Sequence, residues 1–427
     1  MWVRMAAFES YIDAAALSLR TGSGSTLSIT QHRLLNGEPY RAFRESIDLA
    51  ERRTSGTFFT GSTIAGKLAA MLRSEMSPNA TILDPTCGMG DLLLAYASEL
   101  PIGPTLRRTL TLWGTQLAGL DLRADLIRMA KIRLAALAQM RGGFSDSVDN
   151  IDSHFPLIRV GNALTEPKVI RAADGFLFNP PFGQIVSTEP HTWSDGRINA
   201  AAIFLDVIIK SRRPAAPIAA VLPEVLRCGT RYGRFREFLS ANSLGGRFES
   251  LGRFDAWTDI DVFATLLKNS EGSALWHSPT FSTESSVGDR FVIRVGTVVP
   301  HRHREDGPER PYLCAKSTPA WNMGFEAAGV RQFAGTAFQP PFVVVRRTSS
   351  PSDKSRAVGS IIKGKNLVAV ENHLIVATPL SGGMKSCEAL IKVLRHPETS
   401  IHLNNVIRCR HLTTASVKAI PWRSMHG

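Results

Sequence analysis

The run FLFNPPFGQ, Phe176–Gln184, carries the side chains with the most specific chemistry in the chain. An apolar stretch leads into Asn179, which is followed by Pro180, Pro181 and Phe182. Proline lacks an amide hydrogen and has a fixed φ, so the pair holds a rigid extended turn and cannot form part of a central strand. The Asn179 side-chain oxygen and the Pro180 carbonyl both accept hydrogen bonds. A planar amino group on a nucleic-acid base has two hydrogens to donate, and its lone pair is delocalised into the ring. Fixed acceptors for both hydrogens stabilise the positive charge that grows on nitrogen as it attacks a methylsulfonium. Phe182 is placed to stack on such a base, which must leave its duplex to reach the turn. In isolation, the same tripeptide is equally a purely structural turn.

A second run, ILDPTCGMGDLL, Ile82–Leu93, ends an apolar stretch in Asp84 and passes through Gly88 and Gly90 into a helical pattern. Glycines let a backbone come close to a ligand, and open α/β sheets bind ligands beyond the carboxyl ends of their strands. A carboxylate there can pair with an ammonium, such as that of S-adenosylmethionine. The next strand, GLDL, ends in Asp121, where an acidic group can accept hydrogen bonds from ribose hydroxyls. Asp121 is also suited to start the helix that follows. VGNAL then places Asn162 where it can touch an adenine edge or sit in a turn in a left-handed conformation.

Positioning these groups requires strands that alternate with helices. Strands are expected at Thr81–Leu83, Leu117–Leu120, Leu157–Val160, Gly175–Phe178, Ile218–Val221 and Val262–Leu267. Helical patterns lie at Asp91–Glu99, Ala124–Met140 and Ala200–Ser211. This order implies an α/β, Rossmann-like, doubly wound and mostly parallel sheet. Three domains are expected: an N-terminal helical segment at 1–50, the sheet domain at 51–275, and an α+β domain at 276–427. In the last, strand-like runs at Phe342–Val345 and Leu367–Val370 precede a helical pattern at Lys385–Leu394.

Composition separates the two halves of the 427-residue chain. Residues 280–427 hold 20 Lys and Arg against 10 Asp and Glu, whereas residues 1–279 hold 30 against 27. The basic half suits a polyanion partner. It offers His301, Arg302, His303 and Arg304, then Arg346 and Arg347, Lys363 and Lys365, and Arg408 and Arg410. Five scattered cysteines, none in a CxxC pair, argue against a zinc site and for a reducing cytoplasm. The N-terminus resembles a leader superficially, but Glu9 and Asp13 interrupt its apolar part, which reads as an amphipathic helix.

Together, DPTCGMGDLL and NPPFG resemble the cofactor and catalytic segments of N6-adenine-specific DNA methyltransferases, in the segment order of the modification subunits of restriction systems. GTFFTGSTIAGKLAAML (Gly56–Leu72), FLDVIIKSRRPAAPIAAVLPEVLRCG (Phe204–Gly229) and DVFATLLK extend the resemblance, which is strong over about residues 50–270. HLTTASVKAIPW, His411–Trp422, resembles the ending of a target recognition domain. The resemblance implies site-specific methylation of the adenine amino group in duplex DNA, with S-adenosyl-L-methionine as cofactor and base flipping. It places Thr60, Asp84, Cys87 and Gly88 around the methionine part, and Asp121 at the ribose. Asn162 would contact the adenine of the cofactor, and Asn179, Pro180, Pro181 and Phe182 would form the amino-group site. A second aromatic wall is expected at Trp257, with Phe263 the next choice. A specificity subunit or a restriction endonuclease is an implied partner. Two departures stand out. Gly61 occupies a position where the family commonly has Pro, and Asn162 one where it commonly has Asp. The competing readings are an amino-group methyltransferase acting on RNA or protein, and a non-catalytic DNA-binding subunit.

Overall fold

The computed structural model describes residues 2–21, 24–47, 60–147, 149–186, 191–194, 196–242, 244–254, 260–269 and 285–422. The chain divides into two compact units: residues 1–226 with 231–275, and residues 227–230 with 276–427.

Unit 1 is built on a seven-stranded sheet of order β3-β2-β1-β4-β7-β9-β8. Its strands are β1 (Ile82–Asp84), β2 (Leu117–Asp121), β3 (Ile158–Val160), β4 (Gly175–Phe178), β7 (Ile218–Pro223), β8 (Leu244–Arg253) and β9 (Asp261–Asn269). A separate hairpin pairs β5 (Gln184–Val186) with β6 (Arg197–Asn199). The first five sheet strands run parallel, and β9 pairs antiparallel with both β7 and β8. This is the α/β sheet expected from the alternation, with an antiparallel edge added. The β8 strand escaped the sequence reading because its burial is irregular at the sheet edge and Gly245, Gly246 and Gly252 interrupt it. Chain order turns back between β1 and β4, so the carboxyl ends of those strands open a crevice.

Helices cover the sheet: α1 (Trp2–Thr21), α2 (Gly24–Leu35), α3 (Glu38–Ser46), α4 (Ser62–Arg73), α5 (Asp91–Ala97), α6 (Leu106–Gln116), α7 (Ala124–Gly142), α8 (Ala200–Ser211) and α9 (Gly233–Ala241). Neither α4 nor α6 was placed as a helix from the sequence. The α7 helix is buried on nearly all sides because α1 and α2 pack over its outer face. In α1 the buried residues Phe8, Ile12, Ala15 and Leu19 recur at helical spacing. Glu9 and Asp13, the two acids that interrupt its apolar run, both pair with Arg128 of α7, at 3.1 and 2.8 Å.

Unit 2 holds a four-stranded antiparallel sheet, β10-β16-β13-β14, and a three-stranded sheet, β12-β11-β15. The strands are β10 (Phe291–Val295), β11 (Glu309–Leu313), β12 (Gly329–Gln332), β13 (Phe342–Arg346), β14 (Gly359–Ile362), β15 (Ala369–Val370) and β16 (Leu374–Pro379). Alternate residues of β13 and β16 face two cores. Val343, Val345, Ile375 and Ala377 pack with Leu390, Ile391 and Leu394 of α10 (Gly383–Arg395). Phe342, Val344, Leu374 and Val376 pack instead with Leu313, Phe338 and Val370. The expected strand at Leu367–Val370 shrinks to its last two residues.

Candidate active site

At the carboxyl ends of β1 to β4 the turns converge on an open cleft with a cavity volume of about 180 Å³. Of the residues singled out above, Thr60, Asp84, Cys87, Gly88, Asp121, Asn162, Asn179 and Pro181 line it. Phe182, beside this group in sequence, is buried. Phe263 lies in the sheet core on β9, tilted against Phe248 at 5.8 Å, and so is no wall of the cleft. Trp257 falls outside the described residues.

The glycine loop after β1 is shaped by hydrogen bonds from the neighbouring strand. The Cys87 amide donates to the Leu120 carbonyl at 2.9 Å, and the Gly88 amide donates to the Asp121 carboxylate at 3.0 Å. Gly88 and Gly90 adopt positive φ, +51° and +81°. At Gly90 a Cβ would also come within 3.1 Å of Ala130 Cβ on α7, so only glycine fits without strain.

Asp84 is fully buried and accepts from the Thr86 amide at 3.0 Å. Asp121 accepts from the amides of Gly88 and Arg123, at 3.0 and 2.9 Å. Desolvation pushes the Asp84 carboxyl well above its ordinary range, the Thr86 amide pulling it back and the nearby Asp121 raising it further. Desolvation also raises Asp121, against the amides of Arg123 and Gly88. Burial likewise lifts the Cys87 thiol, so it stays protonated at neutral pH. Among the described residues, neither carboxylate has a salt-bridge partner. Two carboxylates thus enter one cleft, where the Arg123 guanidinium, itself paired with Asp125, attracts Asp121.

Asn162 caps the short helical turn Ala163–Thr165, its side chain accepting from the Leu164 amide at 3.1 Å. Asn162 thus serves the turn from an extended backbone, φ −109°, and not from the left-handed one expected, while it also lines the cleft. Asn179 follows β4. Its Nδ2 donates to the Thr60 hydroxyl at 3.1 Å, and its main-chain carbonyl accepts from the Thr86 hydroxyl at 3.2 Å. Its side-chain oxygen is buried with no hydrogen-bond partner among the described residues. Asn199, at the end of β6, donates from Nδ2 to the Phe182 carbonyl at 2.8 Å and fixes the turn beyond the prolines.

Three groups at the site went unnoticed in the sequence. Phe254, just past β8, meets the Phe182 ring edge to face at 5.3 Å. Leu122, on the cleft lining, is 72% exposed, an unusual position for a large apolar side chain. Asp91, the first residue of α5, accepts from the Thr60 amide at 3.2 Å. The signal for Asp91 was present in GMGD as an acid in the first turn of a helix.

Several basic residues of unit 2 serve structure. Arg356 is fully buried and donates to the carbonyls of Ile407 and Cys409, at 2.8 and 3.1 Å. Arg346 donates to the Thr318 carbonyl at 2.9 Å, and Arg347 to that of Asn372 at 3.3 Å. By contrast, His301, Arg302, His303, Arg304, Lys363, Lys365 and Arg410 are exposed, while Arg408 is half-buried.

Residues 35–240 match the family model described as N-6 DNA Methylase. Among solved structures, the Type IIL restriction-modification enzyme MmeI in complex with DNA is similar, with a TM-score of 0.50 and 11% identity over 89% of this chain and 69% of that one. The type IIG restriction endonuclease BpuSI gives a TM-score of 0.48 and 13% identity over 92% of this chain. A modification subunit of a putative type I restriction enzyme from Vibrio vulnificus gives 0.40 and 18% over 67% of this chain. At 11% identity the likeness to MmeI is one of fold. The chain spans 55% of the Vibrio subunit and 62% of BpuSI. No curated protein matches the sequence.

Proposed function

We propose that this chain, whose residues 35–240 match the N-6 DNA methylase family, is a site-specific DNA methyltransferase acting on the exocyclic amino group of adenine in duplex DNA. The observation that carries this reading is the buried Asn179 side-chain oxygen, without a partner among the described residues, at the open cleft beyond β4. An orphaned buried acceptor costs about 1–3 kcal/mol, a cost that a substrate amino group would relieve.

The cleft fits S-adenosyl-L-methionine. Its ammonium and sulfonium would offer positive charge to Asp84, and to Asp121 beside Arg123. Asp84, Cys87 and Gly88 would surround the methionine part. Asp121 would hold the ribose, since each of its oxygens retains a lone pair beyond the amide bonds it accepts. Asn162 would meet the adenine edge, and the exposed Leu122 would cover a ring face. When bound, this cofactor supplies an electrophilic methyl group on sulfur.

The flipped target base would place its amino group between Asn179 Oδ1 and the Pro180 carbonyl. Both acceptors are fixed before reaction, the first by Thr60 and the second by the proline pair. As positive charge grows on the amino nitrogen, these acceptors stabilise it without reorganising. Phe182 and Phe254 would form the aromatic wall of the base pocket. Trp257, outside the described residues, stays a candidate for the opposite wall.

Exposed Arg302, Arg304, Lys363 and Lys365 would neutralise phosphates in unit 2, the proposed target recognition domain. A specificity subunit or a restriction endonuclease is the proposed protein partner. The proposed compartment is the cytoplasm, where DNA and cofactor meet. Among the described residues, no helix is long and apolar enough to cross a membrane.

The test is nucleoside mass spectrometry of duplex DNA after incubation with the purified chain and cofactor. N6-methyldeoxyadenosine is the expected product. Cofactor binding by calorimetry with unmodified DNA would instead assign target choice to a separate subunit.

A further inference from the structure

We infer that Thr60 is a positioning residue for Asn179, and that it is locked in place by a buried Arg133–Asp91 pair. The inference rests on the methyltransferase reading above, and it moves Thr60 away from the cofactor role that the resemblance implied.

The argument starts from the amide. Its two ends are nearly equal in shape but opposite in hydrogen-bonding sense. Only an oxygen presented to the cleft can accept from a substrate amino group. In the structure, Nδ2 donates to the Thr60 hydroxyl at 3.1 Å, which leaves Oδ1 as the end without a partner among the described residues. The orientation of the amide therefore depends on where Thr60 stands.

Thr60 precedes Gly61, whose φ is +67°. A side-chain relay holds Thr60 in place. The Thr60 amide donates to Asp91 Oδ2 at 3.2 Å. The other oxygen of Asp91 accepts from Arg133 NH1 at 2.9 Å. Arg133, on α7, is 3% exposed and also donates to the carbonyls of Met89 and Leu34 and to the Tyr40 hydroxyl. A buried guanidinium with this many acceptors has one geometry available. The departure at position 61 lies next to the same arrangement: the residue before Gly61 is held by the Asp91 carboxylate.

The experiment compares Thr60→Val, Thr60→Ala and Thr60→Ser in the full chain, measuring kcat on duplex DNA and cofactor Kd by calorimetry. It also follows the Asn179 side-chain amide in protein labelled with 15N-asparagine, its signal identified by its loss in Asn179→Asp. Valine keeps the shape and removes the hydroxyl; alanine serves if valine does not fold. The expected result is a fall in kcat of about 100-fold for Val or Ala, the scale of a displaced reacting group. Cofactor Kd should stay within about twofold, Ser should recover most of kcat, and solvent-exchange protection of the Asn179 amide should be present in wild type and Ser but lost in Val and Ala. A weakened cofactor Kd with kcat unchanged, or a failure of Ser to rescue, would overturn the assignment. If the wild type methylates no DNA and binds no cofactor, the methyltransferase reading fails while the amide signal still decides the positioning claim: equal protection in wild type and Val would refute it.

Discussion

Phe254 meets Phe182 edge to face, with ring centroids 5.3 Å apart and planes at 84°. This pair ties the end of β8 to the turn that carries Asn179, so an aromatic from a late edge strand reaches the proposed base pocket. Phe254→Ala is expected to weaken binding of duplex containing 2-aminopurine at the target and to reduce the fluorescence rise that accompanies extrusion. Cofactor affinity should be unchanged. An extrusion signal equal to that of the wild type would remove Phe254 from the base pocket.

The same pair marks where the sequence could and could not be read. A second aromatic near the DVFATLLK strand was expected, and Trp257 and Phe263 were the choices. Phe263 alternates inward on β9 and belongs to the core. Phe254 lies just past β8, a strand whose glycines and irregular burial hid it. The strand ends holding Asp84, Asp121 and Asn179 were legible because buried parallel strands read as apolar runs that stop at a polar residue. The Arg133–Asp91–Thr60 relay was not legible. Its members are far apart in sequence, and a buried arginine in an amphipathic-looking helix resembles any surface arginine until α1 and α2 are packed over it.

Asn179→Ala should reduce methyl transfer by about 100-fold or more, the scale for losing one preorganised hydrogen bond in a transition state. Cofactor affinity measured by calorimetry should hold. Loss of both together would show that Asn179 shapes the cleft rather than the reaction.

Asp84 gives a pH prediction. Desolvation raises its folded carboxyl above the ordinary 3.8, so between that pH and its folded value the native state holds the extra proton. Unfolding free energy from this group is therefore full below about 3.8 and declines as pH rises through the folded value. Asp84→Asn should raise the Tm of the cofactor-free chain at neutral pH by a few degrees and abolish cofactor binding. For the wild type, cofactor affinity should rise with pH over the same range. A lower Tm in the variant would contradict the account of Asp84 as a strained, cation-seeking group.

Gly90→Ala should destabilise the chain by about 1–2 kcal/mol, the penalty for a left-handed non-glycine residue. The added Cβ would also press on Ala130 at 3.1 Å. Thermal unfolding measures this directly, and an unchanged Tm would mean that the loop has another conformation.

Replacing both Arg302 and Arg304 with alanine should weaken duplex binding alike for all sequences. The slope of log affinity against log salt should fall by about two, if each neutralises one phosphate. An unchanged slope would take these exposed residues out of the interface.

The central claim is tested most directly by offering the purified chain tritiated S-adenosylmethionine with duplex DNA, RNA and protein in parallel, then digesting the labelled material to its monomers. The account predicts label in duplex DNA, carried by N6-methyldeoxyadenosine, and its loss in Asn179→Ala. Label confined to RNA or protein would contradict it.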